Sequence, residues 1–233
     1  MNGTIISRLR GPWGIPVEID QSMLFLVGLL IYLGLGGGIL NAVILCVVLI
    51  GSIYLHELGH AWGCRIQGIP VRRVVLHGGG GFCQHASAPT PRQDELIVAM
   101  GPIVNLALWA ILGLLIWALQ AFLIANPGIG FGSMWFFMEV FAFLSLAATI
   151  NLALFIFNLI PVQPLDGGKL FHLFLMRIMG RRSAHRVAGA VGLVAAVVWI
   201  PAAIWVFFTY GFILFFFPSI KGHYRMMKGD LVF

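Results

Sequence analysis

The 233 residues are 60% hydrophobic and only 9% charged, with a formal net charge of +6. Soluble domains carry roughly one-quarter charged residues, so this composition excludes an ordinary water-soluble globular domain and points to a bilayer. The basic residues form short clusters between apolar runs, the pattern of cytoplasmic loops in membrane proteins, and this excludes a nucleic-acid partner as the reason for the charge.

Arg8 and Arg10 precede a first apolar run of about Ser22 to Leu35. Glu18 and Asp20 interrupt the approach to it, which favours an uncleaved first helix over a signal peptide. Gly36, Gly37 and Gly38 then break the helix. A second run, about Ile39 to Cys64, carries the polar sequence His56-Glu57-Leu58-Gly59-His60 in its later half. The stretch from Pro70 to Pro91, with its valines and the glycines Gly78 to Gly81, is too polar to span and is expected to form either a membrane-associated hairpin, whose glycines let a substrate strand approach and pair with its edge, or a flexible glycine connector. A third run covers about Leu96 to Leu123 and a fourth about Met134 to Ile160. Pro161 and Pro164 end the fourth, and Asp166-Gly167-Gly168 leads into a basic amphipathic segment, His172 to Arg186, expected along the interface near anionic lipid headgroups. The last stretch, about Val187 to Phe217, contains Pro201 and is either one kinked helix or two short ones.

With a cytoplasmic N-terminus and alternating spans, the clusters around Arg8, Arg72, Arg92 and Arg181 all face the cytoplasm, and the outer segments near Gly37 and from Asn126 to Ser133 carry no Lys or Arg. Lys221, Arg225 and Lys228 ask for a cytoplasmic C-terminus too. The expected fold is therefore an all-α polytopic membrane protein, with about six transmembrane helices (five is the alternative) and a short β-hairpin between the second and third. It forms a single domain over 1–233, with a catalytic core at about 22–177 and C-terminal helices at about 187–217. Cys46, Cys64 and Cys83 lack CxxC spacing and are expected to be packing residues.

Histidines at i and i+4 share a helix face and can ligate one metal ion, with the intervening Glu57 placed to reach a metal-activated water. Ionisable side chains at membrane depth cost a few kcal/mol each, a cost that a bound metal offsets. Two histidines call for a third ligand. Asp166 is the candidate, because the fourth span should run parallel to the second and return to the level of His56 and His60. Glu139 lies at the far end of the fourth span, and His77 and His85 are expected to be interfacial.

His56-Glu57-Leu58-Gly59-His60, Gly101-Pro102-Ile103-Val104-Asn105 and the run from Asn158 to Gly168 together resemble the site-2 protease family of intramembrane zinc metalloproteases, over about Ser22 to Arg177. The resemblance implies one Zn2+ per chain held by His56, His60 and Asp166, with Glu57 as general base. It also implies Asn105 facing substrate or the oxyanion and Asn158 supporting the Asp166 loop. The implied activity is cleavage of transmembrane segments of membrane-protein substrates in a bacterial or archaeal cell membrane, with the site toward the cytoplasm and both termini cytoplasmic. The resemblance is to a minimal form without the PDZ or nucleotide-sensing domain of many relatives, so control of substrate access is expected from a regulatory membrane protein, a prior cut in the substrate, or the helices themselves. The rival classes are a metal-dependent transporter or channel and a non-cleaving relative that only binds helices.

Overall fold

A computed structural model describes residues 3–210 and 216–230. Helices dominate. Following α1 (Met23–Gly34) and a turn at Gly38, with φ of +93°, α2 occupies Ile39–Ile66, and the long helices α3 (Pro91–Ala125) and α4 (Phe131–Asn158) come next. They are followed by α5 (Asp166–Ile178), α6 (Arg181–Tyr210) and the short α7 (Ile220–Lys228). Among the described residues, four helices are long and apolar enough to cross a membrane: Ile39–Ile66, Pro91–Ala125, Gly132–Asn158 and Arg181–Thr209. Met23–Gly37 is a shorter apolar helix.

The expected hairpin exists, as β3 (Val71–His77) and β4 (Gly80–His85), but it is half of a larger sheet. Strands β1 (Ile5–Arg10) and β2 (Pro16–Asp20) precede α1, and the strand order is β1-β2-β3-β4. The outer pairs are antiparallel, whereas β2 and β3 run parallel with Glu18 opposite Val75. The all-α expectation is thus corrected: the acidic residues ahead of the first apolar run belong to a strand. Buried Glu18 pairs with Arg8 at 3.1 Å and with Arg73 at 2.6 Å, which ties β2 to both neighbours. Ile15, Val17, Val74 and Leu76 bury one face of the sheet against Met23, Leu26 and Leu30 of α1 and Ile53 and Ala61 of α2.

The C-terminal region also departs from expectation. The basic segment expected as one interfacial stretch is split, with α5 ending at Ile178 and α6 starting at Arg181. The helix α6 continues through Pro201 as one element rather than two. A second crossing would fall on the end of the 187–217 stretch, where residues 211–215 lie outside the described residues. Beyond them the chain comes back along α6, because Trp199 donates to the carbonyl of Phe216 at 2.8 Å and His185 meets the carbonyl of Asp230 at 3.0 Å. Asp230 therefore lies level with the start of α6.

Candidate metal centre

His56, Glu57 and His60 are all buried on α2, and one potential ligand atom from each lies within 4.8 Å of the others. Helix α4 does run alongside α2 in the same direction. Asn151 bonds to Ser52, and further along both helices Asp166 meets His56 and His60. After α4 ends at Asn158, the proline-containing loop carries the chain to Asp166, the first residue of α5. Two ion pairs clamp α5 to the start of α3: Lys169 to Asp94 at 2.8 Å, and Arg177 to Glu95. Asp166 Oδ2 comes to 3.0 Å from His56 Nε2 and 3.3 Å from His60 Nε2, while the two Nε2 atoms are 3.1 Å apart.

A chain of hydrogen bonds decides which nitrogens hold protons. The Nδ2 amide of Asn151 donates to the carbonyl of Ala147 at 2.9 Å, which fixes the orientation of that side chain. Its Oδ1 then accepts from Asn105 Nδ2 at 2.8 Å, which leaves Asn105 Oδ1 as an acceptor 2.5 Å from His56 Nδ1. An amide oxygen can only accept, so His56 carries its proton on Nδ1. His60 donates likewise from Nδ1 to the carbonyl of Ile97 at 2.8 Å. Each neutral ring therefore turns an Nε2 lone pair inward. Facing these lone pairs is Asp166, a carboxyl whose ordinary range lies well below neutral pH and which is therefore an anion there.

With both rings neutral, two lone pairs and a carboxylate oxygen thus converge, and Asp166 Oδ2 is buried without a hydrogen-bond partner. Such a cluster is stable only around a cation. Three N and O donors, with imidazoles oriented from behind by an amide and a backbone carbonyl, match the donor set of a catalytic zinc site. Space is reserved as well: a Cβ on Gly101 of α3 would lie 2.4 Å from His60 Nε2 and 2.7 Å from His56 Nε2.

Glu57 Oε2 is also buried and without a partner. The carboxylate packs beneath strand β4, where a Cβ on Gly81 would come within 2.6 Å of Glu57 Cγ. The structure puts Asn105 behind His56, with no exposed surface and an amide N–H already engaged by Asn151, rather than on the side open to a reacting group. Asn158 donates to the carbonyl of Leu154 in its own helix rather than to the loop before Asp166. His77 accepts from the Gly79 amide at the hairpin turn, and the half-buried His85 contacts the carbonyl of Ser87. The three cysteines are free. Sequence reasoning missed Ser52 and Asn151, although both are polar residues inside apolar runs and Ser52 lies one turn before His56.

The fold and the cluster define a polytopic membrane protein with a buried two-histidine, two-carboxylate centre. Residues 44–201 match the family model described as Peptidase family M50, and the chain belongs to that family. It is 32% identical over 212 residues to a putative zinc metalloprotease of Synechocystis, covering 84% of this chain and 52% of that protein. To the stage IV sporulation protein FB of Bacillus subtilis it is 31% identical over 158 residues, covering 66% and 47%. The chain spans about half the length of the curated relatives it matches. The solved site-2 protease from Methanocaldococcus jannaschii superposes with a TM-score of 0.57 at 22% identity, covering 96% of this chain and 93% of that one, which is a likeness of fold.

Proposed function

We propose that this chain is an intramembrane zinc endopeptidase of the site-2 type that cleaves transmembrane segments of membrane proteins. His56, His60 and Asp166 hold the zinc, and Glu57 is the general base. The observation that carries this reading is the convergence of the two Nε2 atoms and the Asp166 carboxylate beside a Glu57 oxygen without a partner. Membership of Peptidase family M50 and relatives named zinc metalloprotease support it.

Bound zinc supplies Lewis acidity, lowering the pKa of water toward about 7 and polarising a carbonyl. Glu57, within one water of the histidine nitrogens, accepts the proton of the attacking water and delivers it to the leaving amine nitrogen. Asn105 positions His56 and fixes its tautomer, so we assign it an orienting role in place of oxyanion contact. Substrate enters as an extended segment along β4. This strand ends the sheet order, and Gly81 lies directly over Glu57, so pairing there brings an unwound peptide bond toward the base. The site faces the cytoplasm, since Arg65, Arg72, Arg92 and Lys169 cluster at its end of the helices and β1 joins Arg8 and Arg10 to the same sheet.

Glu57→Gln in reconstituted protein is expected to abolish cleavage of a transmembrane substrate while zinc content stays near one per chain. Retained cleavage overturns the assignment. Metal flux without peptide products would make the chain a transporter.

A further inference from the structure

The terminal helix α7 takes no part in the donor cluster, yet its His223 is only 1% exposed. The imidazole Nδ1–H donates to the carbonyl of Ser219 at 2.8 Å, so Nε2 carries the lone pair. That lone pair accepts the backbone N–H of Gln163 at 3.1 Å, inside the loop that delivers Asp166. Helix α6 makes room for the ring with Gly192, where a Cβ would lie 2.1 Å from His223 Cδ2. Met226, one turn further on, is buried against Leu175 of α5 and Ala184 and Ala188 of α6, which fixes α7 in place.

The loop before Asp166 is packed tightly against its surroundings and against the residues that follow Asp166. Val162 is fully buried and packs with Leu165 against Ala196. Directly after Asp166, the backbone of Gly168 presses on this loop, since a Cβ there would lie 2.4 Å from the carbonyl carbon of Val162 and 2.6 Å from the nitrogen of Gln163. A displacement of Gln163 is therefore passed to Gly168 and to the carboxylate two residues before it.

We infer that His223 is a positioning residue for the zinc site: α7 docks on α6 and, through the Nε2 bond to Gln163, holds Asp166 at the distance that the two histidines require. This inference rests on the zinc-protease reading. It makes the C-terminal segment, remote in sequence from the His56 motif, part of what retains the metal.

Two substitutions separate the contact from general packing. In His223→Gln the side-chain oxygen takes the place of Nε2 and can accept from Gln163. In His223→Asn the amide imitates Nδ1 toward Ser219 and leaves Gln163 without an acceptor. Zinc release from the full chain in detergent is followed with a chromogenic chelator, together with hydrogen exchange across residues 159–168. His223→Asn is expected to release zinc about tenfold faster and to lose protection in that segment, while His223→Gln stays within about threefold of the unsubstituted chain. Equal behaviour of the two variants, whether both fast or both unchanged, overturns the proposal. So does a Gln163 amide that exchanges freely in the unsubstituted chain, a measurement that depends on no variant. An unsubstituted chain that holds no zinc would instead sink the zinc reading, and the exchange data would still decide the His223 contact.

Discussion

Asn105 separates two accounts of the centre. Replacing it with leucine leaves the Nδ1–H of His56 and the Oδ1 of Asn151 without partners in a buried site. Each such group costs about 1–3 kcal/mol, and losing an outer partner of a ligating histidine lowers metal affinity by about 10–100-fold, roughly 1.4–2.8 kcal/mol. Asn105→Leu should therefore both melt earlier and yield zinc to weaker chelators. Asn105→Asp is the sharper variant. Its carboxylate still accepts from His56 Nδ1, forming a carboxylate-histidine pair, but sets an oxygen against Asn151 Oδ1, so the chain should melt earlier while zinc affinity and turnover both stay within about tenfold of the unsubstituted chain. A side chain that donates to an oxyanion behaves in the opposite way, because aspartate cannot donate, and kcat would fall by about 10²–10³ with zinc affinity unchanged. Graded chelator competition combined with turnover on a transmembrane peptide reads both quantities. The second pattern refutes the orienting role.

Further outcomes follow from the same geometry. Gly101→Ala puts a methyl group where the ligand nitrogens converge, so metal analysis should give well under one zinc per chain while circular dichroism stays helical. Asp166→Ala should likewise lose zinc, whereas Glu57→Gln keeps it. Stripping zinc with a strong chelator and restoring it at about 100 times its Kd should raise stability by about 2.7 kcal/mol, visible as an upward Tm shift; no shift would argue against the donor set. Glu18→Ala breaks the pairs to Arg8 and Arg73, but both arginines reach water, so the loss should be about 1 kcal/mol rather than the 3–5 kcal/mol of a fully buried pair.

The amino-acid order alone determined what depends on short spacing. The four-residue interval places His56 and His60 on one helix face with Glu57 between them, the apolar runs define the membrane helices, and Pro161 with Pro164 ends α4 before Asp166. Other features required the tertiary structure because their partners are far apart along the chain. Strand β2 is recognisable only through β3, with Glu18 meeting Arg73 across the whole of α1 and α2. The tautomers of the two histidines are set by Ile97 and Asn105 on α3, and through Asn105 by Asn151 on α4, so the charge of the site is a property of three packed helices. The return of α7 to Gln163 carries no local signal, since a buried imidazole and a basic tail residue have the same letter. Local periodicity encodes which side chains share a face, but which face meets which depends on the packing of the helices.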